Sequence, residues 1–324
     1  MNYTSYLDLR NVIKKNLSIL QTKKFDLIVG IPRSGMVPAY IIAQYLNIKC
    51  CDLHSFIRNT QQELNETSPL QYPHDCQNVL LVDDCISSGG SMANSLEHIP
   101  ENKRIKITTL AIYSSKKSRN DIDIFFEYHP GPGVSEWHLF HCGIVKKYCI
   151  NIEGVLCLEP SDDQKTNNSN YIEYILNAPP LIVPSGKVNC LITNRPEKYR
   201  NETHSWLEKQ GIEYDNLIMS QEFPEINANF WEEATKYKAH IYSQSKNELY
   251  VSYDKKESQK IHDLTRKPVY CMETNEIYSK GNIITAFHGS KLSKKAFVIL
   301  MICKLKKLPK PVYVSLRSLY RFIS

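Results

Sequence analysis

The sequence predicts an α/β protein built from two parallel-sheet domains, and three observations carry that expectation. Short runs such as Phe25 to Val29, broken only by Asp26, and Val79 to Val82 are apolar, as strands buried on both faces of a parallel sheet are. Stretches with apolar residues three and four apart lie between such runs, and this alternation is the pattern of βα units. The chain has 324 residues, and at about 150 residues per domain it has room for two cores.

In order along the chain, Tyr6, Leu9, Ile13, Leu17 and Leu20 fall on one face of a first helix. Phe25 to Val29 is a strand closed by Gly30, and Met36 to Leu46 is a helix. Val79 to Val82 is a second buried strand, after which Gly89 and Gly90 open a helix through Leu96. Ile107 to Tyr113 and Ile122 to Phe126 are further strands, and His129 to Val134 reads as a turn-rich loop. The pattern restarts near Lys147. Tyr148 to Ile152 is a strand, Tyr171 to Leu176 a helix, and Val188 to Ile192 a strand. Pro196 to Gln210 is a helix with Pro at its start and Gly211 just past its end. Phe230 to Ser243 and Lys256 to Leu264 are helices; Leu249 to Val251 and Pro268 to Cys271 are strands. The expected division is a first domain at 1–146, a second at 147–280 and a tail at 281–324.

Composition narrows the class. With 42% hydrophobic and 23% charged residues the chain is an ordinary globular one. Its longest apolar run, Ala296 to Cys303, is far short of the roughly 20 residues a membrane helix needs. The first fifteen residues have no apolar core, so no secretory signal is expected. Ten scattered cysteines without a CxxC pair point to reduced thiols in the cytoplasm and away from a zinc ribbon. The net charge of +6 belongs to the tail, which from Ile277 onward has ten Lys and Arg and no acidic residue.

The chemistry concentrates in Val79-Leu80-Leu81-Val82-Asp83-Asp84-Cys85-Ile86-Ser87-Ser88-Gly89-Gly90-Ser91. A buried strand ends in two carboxylates, and a turn of small residues then leads into a helix. Ligands bind off the carboxyl ends of strands in open α/β sheets. Small residues at a helix start let backbone N–H groups approach a phosphate, and Ser87, Ser88 and Ser91 add hydroxyls. Two carboxylates would repel a bare phosphate. They fit a ligand that also carries hydroxyls and a magnesium ion, which describes a ribose 5-phosphate. About fifty residues upstream, Gly30-Ile31-Pro32-Arg33-Ser34-Gly35 makes a second strand-to-helix loop with a guanidinium fork in it. Four of the twelve glycines fall in these two loops.

This string resembles the motif with which type I phosphoribosyltransferases bind phosphoribosyl pyrophosphate (PRPP), and the upstream loop sits where that family places its pyrophosphate loop. The resemblance implies a Rossmann-like first domain, transfer of ribose 5-phosphate from PRPP with Mg²⁺, and release of pyrophosphate. It makes Gly30, Arg33, Ser34, Gly35, Asp83, Asp84, Ser87, Ser88, Gly89, Gly90 and Ser91 the PRPP-binding set. Asp83, Asp84 and Arg33 would be catalytic, with the two acids touching the metal only through PRPP and water. For the acceptor, Leu53 to Tyr72 with Arg58 is either the family's covering loop or an ordinary surface loop. Trp137 is either a stacking platform or a core aromatic.

The second domain resembles the haloacid-dehalogenase-like phosphatases in altered form. Asn151 and Glu153 stand where that family has two aspartates, while Thr193, Lys238 and Asp254 match its hydroxyl, lysine and late magnesium ligand. Asn151 has a neutral amide and cannot form an aspartyl phosphate. The expectation is a domain without phosphatase activity that serves as a scaffold or docking surface.

Phosphoribosyl transfer joined to such a domain is similar to proteins of bacterial surface-polysaccharide pathways. The leading expectation is therefore a cytoplasmic glycan intermediate as acceptor, with a separate phosphatase completing the reaction. The alternatives are nucleobase salvage and a regulator that senses PRPP without reacting. The tail from Lys291 to Arg321 reads either as a peripheral contact with the membrane's inner face or as a helix packed on the second domain. Nucleic acid ranks below both, and a homodimer stays open.

Overall fold

The computed structural model describes residues 2–61, 76–100, 105–131, 133–141, 143–165, 167–220 and 230–279. The basic stretch from Lys291 to Arg321 lies outside the described residues.

The chain opens with a short strand, β1 (Asn2–Thr4), and a helix, α1 (Tyr6–Gln21). Ser5 starts α1 through a capping box: its hydroxyl accepts from the amide of Asp8, and the Asp8 carboxylate accepts from the amide of Ser5. Leu9, Val12, Ile13 and Leu20 form the buried face, whereas Tyr6 is exposed. Next come β2 (Leu27–Gly30), α2 (Met36–Leu46), β3 (Lys49–Asp52), α3 (Leu53–Gln61), β4 (Asn78–Ile86), α4 (Gly90–Glu97), β5 (Lys106–Ser114) and β6 (Ile124–Tyr128). They build a five-stranded parallel sheet in the order β3-β2-β4-β5-β6. Along β2 the side chains alternate between two cores. Ile28 packs with α1 and α2 residues such as Ile13 and Ile42, while Leu27 and Val29 pack with Phe56 of α3 and Met92 of α4.

A third strand segment, β7 (Gly133–Ser135), pairs in parallel with β1. The second sheet then forms from β8 (Tyr148–Asn151), α5 (Asn168–Asn177), β9 (Val188–Pro196), α6 (Arg200–Lys209), β10 (Tyr214–Ser220), α7 (Phe230–Gln244), β11 (Leu249–Ser252), α8 (Lys255–Thr265), β12 (Val269–Cys271) and β13 (Glu276–Tyr278). Its order is β10-β9-β8-β11-β12-β13, parallel throughout except for β13.

Several elements depart from the sequence reading. The start of the expected covering loop is helical, since Leu53–Gln61 is α3; residues 62–72 lie outside the described residues. The helix expected from Pro196 begins later. β9 runs on to Pro196 in register with Ser220, a 3-10 turn follows at Glu197–Tyr199, and α6 starts at Arg200. Proline is tolerated there because a strand end needs no N–H from it. Strands β3, β10 and β13 are edge or near-edge pieces with polar residues in them, so they lack the apolar run that identifies a central strand.

The segment joining the two sheets is built into the second one. Val134, Leu139, Phe140 and Val145 are buried in one cluster with Tyr148, Ile150 and Trp206. Tyr3, from β1, packs on the same cluster. Its hydroxyl donates to Asn275 Oδ1 at 2.6 Å, and the hydroxyl of Tyr270 donates to the same oxygen at 2.5 Å. Asn275 has φ of +53°, so glycine is the replacement that removes the acceptor without straining the backbone. Asn275→Gly should cost about 1–3 kcal/mol in urea unfolding. The loss should shrink when Tyr3 and Tyr270 are first changed to Phe.

Candidate functional site

β2 and β4 are parallel neighbours, with Gly30 opposite Val82, so both sequence-predicted loops leave the same edge of the sheet side by side. The amide of Ile31 donates to the Val82 carbonyl at 2.9 Å. Gly35 explains itself here. A Cβ on it would lie 2.5 Å from the Val82 oxygen and 2.7 Å from the Ile31 oxygen, so only glycine lets the loop close against the strand. Between the glycines, the Pro32–Arg33 peptide is cis. Arg33 is exposed, and its guanidinium donates to the carbonyl of His141 at 3.2 Å.

Past the strand, Ser87, Ser88, Gly90 and Ser91 are exposed. Gly89 adopts φ of +96° as it turns the chain into α4, a conformation that side chains disfavour. Beneath this turn lies a residue the sequence did not disclose. The Arg119 side chain is fully buried; it donates to the Ser87 carbonyl at 2.8 Å and pairs with Asp121 at 2.6 Å. Arg119 therefore braces the underside of the serine-glycine turn. It sits in a polar stretch with no periodicity to single it out.

The acid pair divides into two unlike groups. Adjacent residues of a strand face opposite sides, and both carboxylates are almost wholly buried, at 6% and 1% exposure. Asp84 accepts from the indole N–H of Trp137 at 2.7 Å, and His138 Nε2 lies 3.6 Å from the same oxygen. Burial pushes Asp84 up, but His138 and Trp137 outweigh it and hold the carboxyl below the usual range. Asp83 has no comparable partner. Its carboxylate accepts from the Asp84 amide at 2.9 Å and from the Ser91 hydroxyl only at 3.5 Å. Burial, with the charge of Asp84, pushes it up to about 7. Asp84 is anchored; Asp83 is the one left needing a donor.

The ring of Trp137 is half-buried, packs against the first core cluster, is tilted on Tyr6 at 5.4 Å between centroids, and donates to Asp84. His138, beside Trp137 and 54 residues from Asp84 in sequence, was not foreseen as a partner of that carboxylate. Arg58 lies on α3, exposed, and donates to Ser55 within its own helix at 3.2 Å.

In the second domain the structure gathers Asn151, Glu153, Lys238 and Asp254 around one cavity of about 1280 Å³. Thr193 joins them through Glu153, to which its hydroxyl donates at 2.7 Å. Two further residues complete the cluster. Arg195 pairs with Glu153 at 2.6 Å, and Glu257 pairs with Lys238 at 2.7 Å. Lys238 also donates to Asn151 Oδ1 at 3.1 Å. Asp254 caps α8, accepting from the Glu257 amide at 2.6 Å. Among the described residues no group of three or more His, Cys, Asp or Glu is placed to hold a metal ion.

Residues 2–129 match the model of the phosphoribosyl transferase domain family. This stretch is a phosphoribosyltransferase domain. A curated relative, the xanthine-guanine phosphoribosyltransferase of Idiomarina loihiensis, is 27% identical over 92 residues. The match covers 27% of this chain and 57% of the relative's length. Among solved structures, the purine phosphoribosyltransferase from Pyrococcus horikoshii aligns at 17% identity and a TM-score of 0.32, over 42% of this chain and 94% of that one. The xanthine-guanine-hypoxanthine phosphoribosyltransferase of Helicobacter pylori aligns at 13% identity and 0.33, over 42% and 92%.

Two outcomes follow from the site. Asp83 holds its proton more tightly folded than unfolded, so its ionisation costs stability as pH rises from about 4 to about 7, and the full cost is present above that. Asp83→Asn should therefore exceed the parent's stability at pH 8 by on the order of 2 kcal/mol. The difference should vanish near pH 4, as denaturant titrations at the two pH values will read. Arg119→Met should loosen the turn, at a stability cost of about 1–3 kcal/mol for the carbonyls it leaves, read by urea unfolding.

Proposed function

We propose that the chain transfers ribose 5-phosphate from PRPP to a purine-type nucleobase and releases pyrophosphate. The observation that carries this reading is Asp83: a buried carboxylate short of donors, beside an exposed serine-glycine turn at the carboxyl edge of the sheet. In the proposed complex the 5-phosphate lies in the turn at Ser87, Ser88, Gly89, Gly90 and Ser91, taking backbone N–H groups and hydroxyls at the start of α4. Asp83 accepts hydrogen bonds from the ribose hydroxyls, and Asp84 holds its place through Trp137 and His138. Arg33 and the amides of the loop from Gly30 to Gly35, Ser34 among them, neutralise the departing pyrophosphate. The acid pair suits a magnesium ion carried in by PRPP, since Asp83 has acceptor capacity to spare; when bound, the ion offsets charge on the leaving group. Rate enhancement comes from positioning and charge neutralisation.

The curated relative's name supports a nucleobase as acceptor, and Trp137 and His138 bring aromatic rings to the site. A second reading, a cytoplasmic glycan intermediate of surface-polysaccharide synthesis, is favoured by one observation: the large cavity of the second domain, whose lining includes Asn167, Asn168 and Asn194. For that domain we propose a phosphatase-like scaffold without phosphatase activity, because Asn151 supplies no nucleophilic carboxylate and Glu153 is engaged by Arg195 and Thr193. No helix among the described residues is long and apolar enough to cross a membrane; a cytoplasmic location is part of the proposal.

The test combines protein, PRPP and Mg²⁺ with guanine, xanthine, hypoxanthine and neutral saccharides, following pyrophosphate release and product mass. One acceptor should gain a ribose phosphate. Asp83→Asn with Asp84→Asn should lower turnover by at least about a thousandfold. PRPP binding without turnover on any acceptor would support a PRPP sensor, and no binding of PRPP at all would remove the reading. The full chain should also hydrolyse ribose 5-phosphate no faster than its Asn151→Ala variant.

A further inference from the structure

Two thiols lie side by side in the middle of the second sheet. Cys149 of β8 and Cys190 of β9 are register partners on neighbouring parallel strands, and both are buried. Their side chains share one face. Both pack in a cluster with Tyr242 of α7 and Ile261 of α8, whereas Ile150 and Leu191 pack on the opposite side. The Cys149 thiol donates to Cys190 Sγ at 3.5 Å, and the Leu191 carbonyl, at 3.8 Å, is a second contact of Cys190. Neither candidate site described above uses this pair.

The geometry suits a covalent bridge. Adjacent strands lie about 4.7–4.9 Å apart, inside the separation of about 4.4–6.8 Å between Cα atoms that a disulfide spans. The sulfurs would have to close to about 2.05 Å, a small movement for two side chains that already touch.

The two thiols are unlike. The hydrogen bond from Cys149 favours a thiolate at Cys190 and holds that thiol below its ordinary range in spite of burial. Burial, with the hydrogen bond it donates, pushes Cys149 up against the opposing charges of Lys238 and Lys267. Since the thiolate is the reactive form, Cys190 is the nucleophile and Cys149 keeps its proton. Access decides the oxidant. Asn151 lies two residues past Cys149 on the same face, Lys238 donates to it, and both line the large cavity. The pair thus lies close beneath the cavity floor, with almost no surface of its own for a bulky reagent.

We propose that Cys149 and Cys190 form an oxidative modification site, closed to a disulfide by hydrogen peroxide that enters through the cavity. The Cys190 thiolate attacks one peroxide oxygen, the O–O bond breaks, and hydroxide leaves with the proton that Cys190 had released, as water. Cys190 is then a sulfenic acid. The Cys149 sulfur attacks the Cys190 sulfur, the S–O bond breaks, and the hydroxyl leaves with the Cys149 proton as a second water. Two thiols together lose two electrons, and one peroxide gains them. The inference concerns the second domain alone and does not depend on the transferase reading.

The test treats the folded full chain with hydrogen peroxide, blocks the remaining thiols by alkylation on unfolding, and maps the peptides by mass. The expected result is a crosslinked pair of peptides containing Cys149 and Cys190, lighter by two hydrogens and separated again by dithiothreitol. Glutathione disulfide, too large to reach the pair, should leave both thiols free. In Cys149→Ala, dimedone should trap a sulfenic acid on Cys190, and in Cys190→Ala it should trap none on Cys149. The crosslink in the unsubstituted chain decides the matter even if neither variant folds. Recovery of both thiols free after peroxide overturns the proposal, as does a crosslink that forms only in urea. Pairing of either cysteine with a different partner overturns it too, and so does equal reaction with glutathione disulfide.

Discussion

Two neighbouring carboxylates buried at the end of one strand are the constraint around which the first domain is arranged. Pleating sends them to opposite sides, and the protein treats them differently. Asp84 is tied to an indole and an imidazole and stays charged. Asp83 stays short of donors and resists ionisation. A fold selected only for stability would cover both or carry neither, because a buried acid without partners is unfavourable. The close contact at Gly35 and the brace at Arg119 keep the two flanking loops in fixed positions relative to this pair.

The parts of this site that are contiguous in sequence were legible in it. The acid pair and the serine-glycine turn lie within thirteen residues, and the loop from Gly30 to Gly35 within six; a backbone cradle is a local structure with a local composition. Trp137, His138 and Arg119 were not legible as partners, because each reaches the site across 28 residues or more and nothing in their own neighbourhoods marks the destination. The central strands followed from their apolar runs. β3, β10 and β13 escaped because edge strands need fewer apolar residues, and α3 because its polar surface resembles that of a loop.

The second domain shows the same limit from the other side. Asn151, Glu153, Lys238 and Asp254 were expected to converge and do so. Arg195 and Glu257 were not foreseen, and they change the chemistry. With them in place Glu153 and Lys238 are each ion-paired within the protein, where the five expected residues alone would suggest a weakened ion site. Buried networks of this kind hold geometry when every member is satisfied.

The joint between the sheets has one more consequence. The stretch from Gly133 to Lys147 drives Val134, Leu139, Phe140 and Val145 into the second core, while its other side delivers the indole and imidazole that steady Asp84. The halves are mortised together, not strung like beads. A gene trimmed to the first sheet alone would encode a domain missing one wall of its acid-pair site, so exchange of either half between proteins must carry this fifteen-residue tenon along with it.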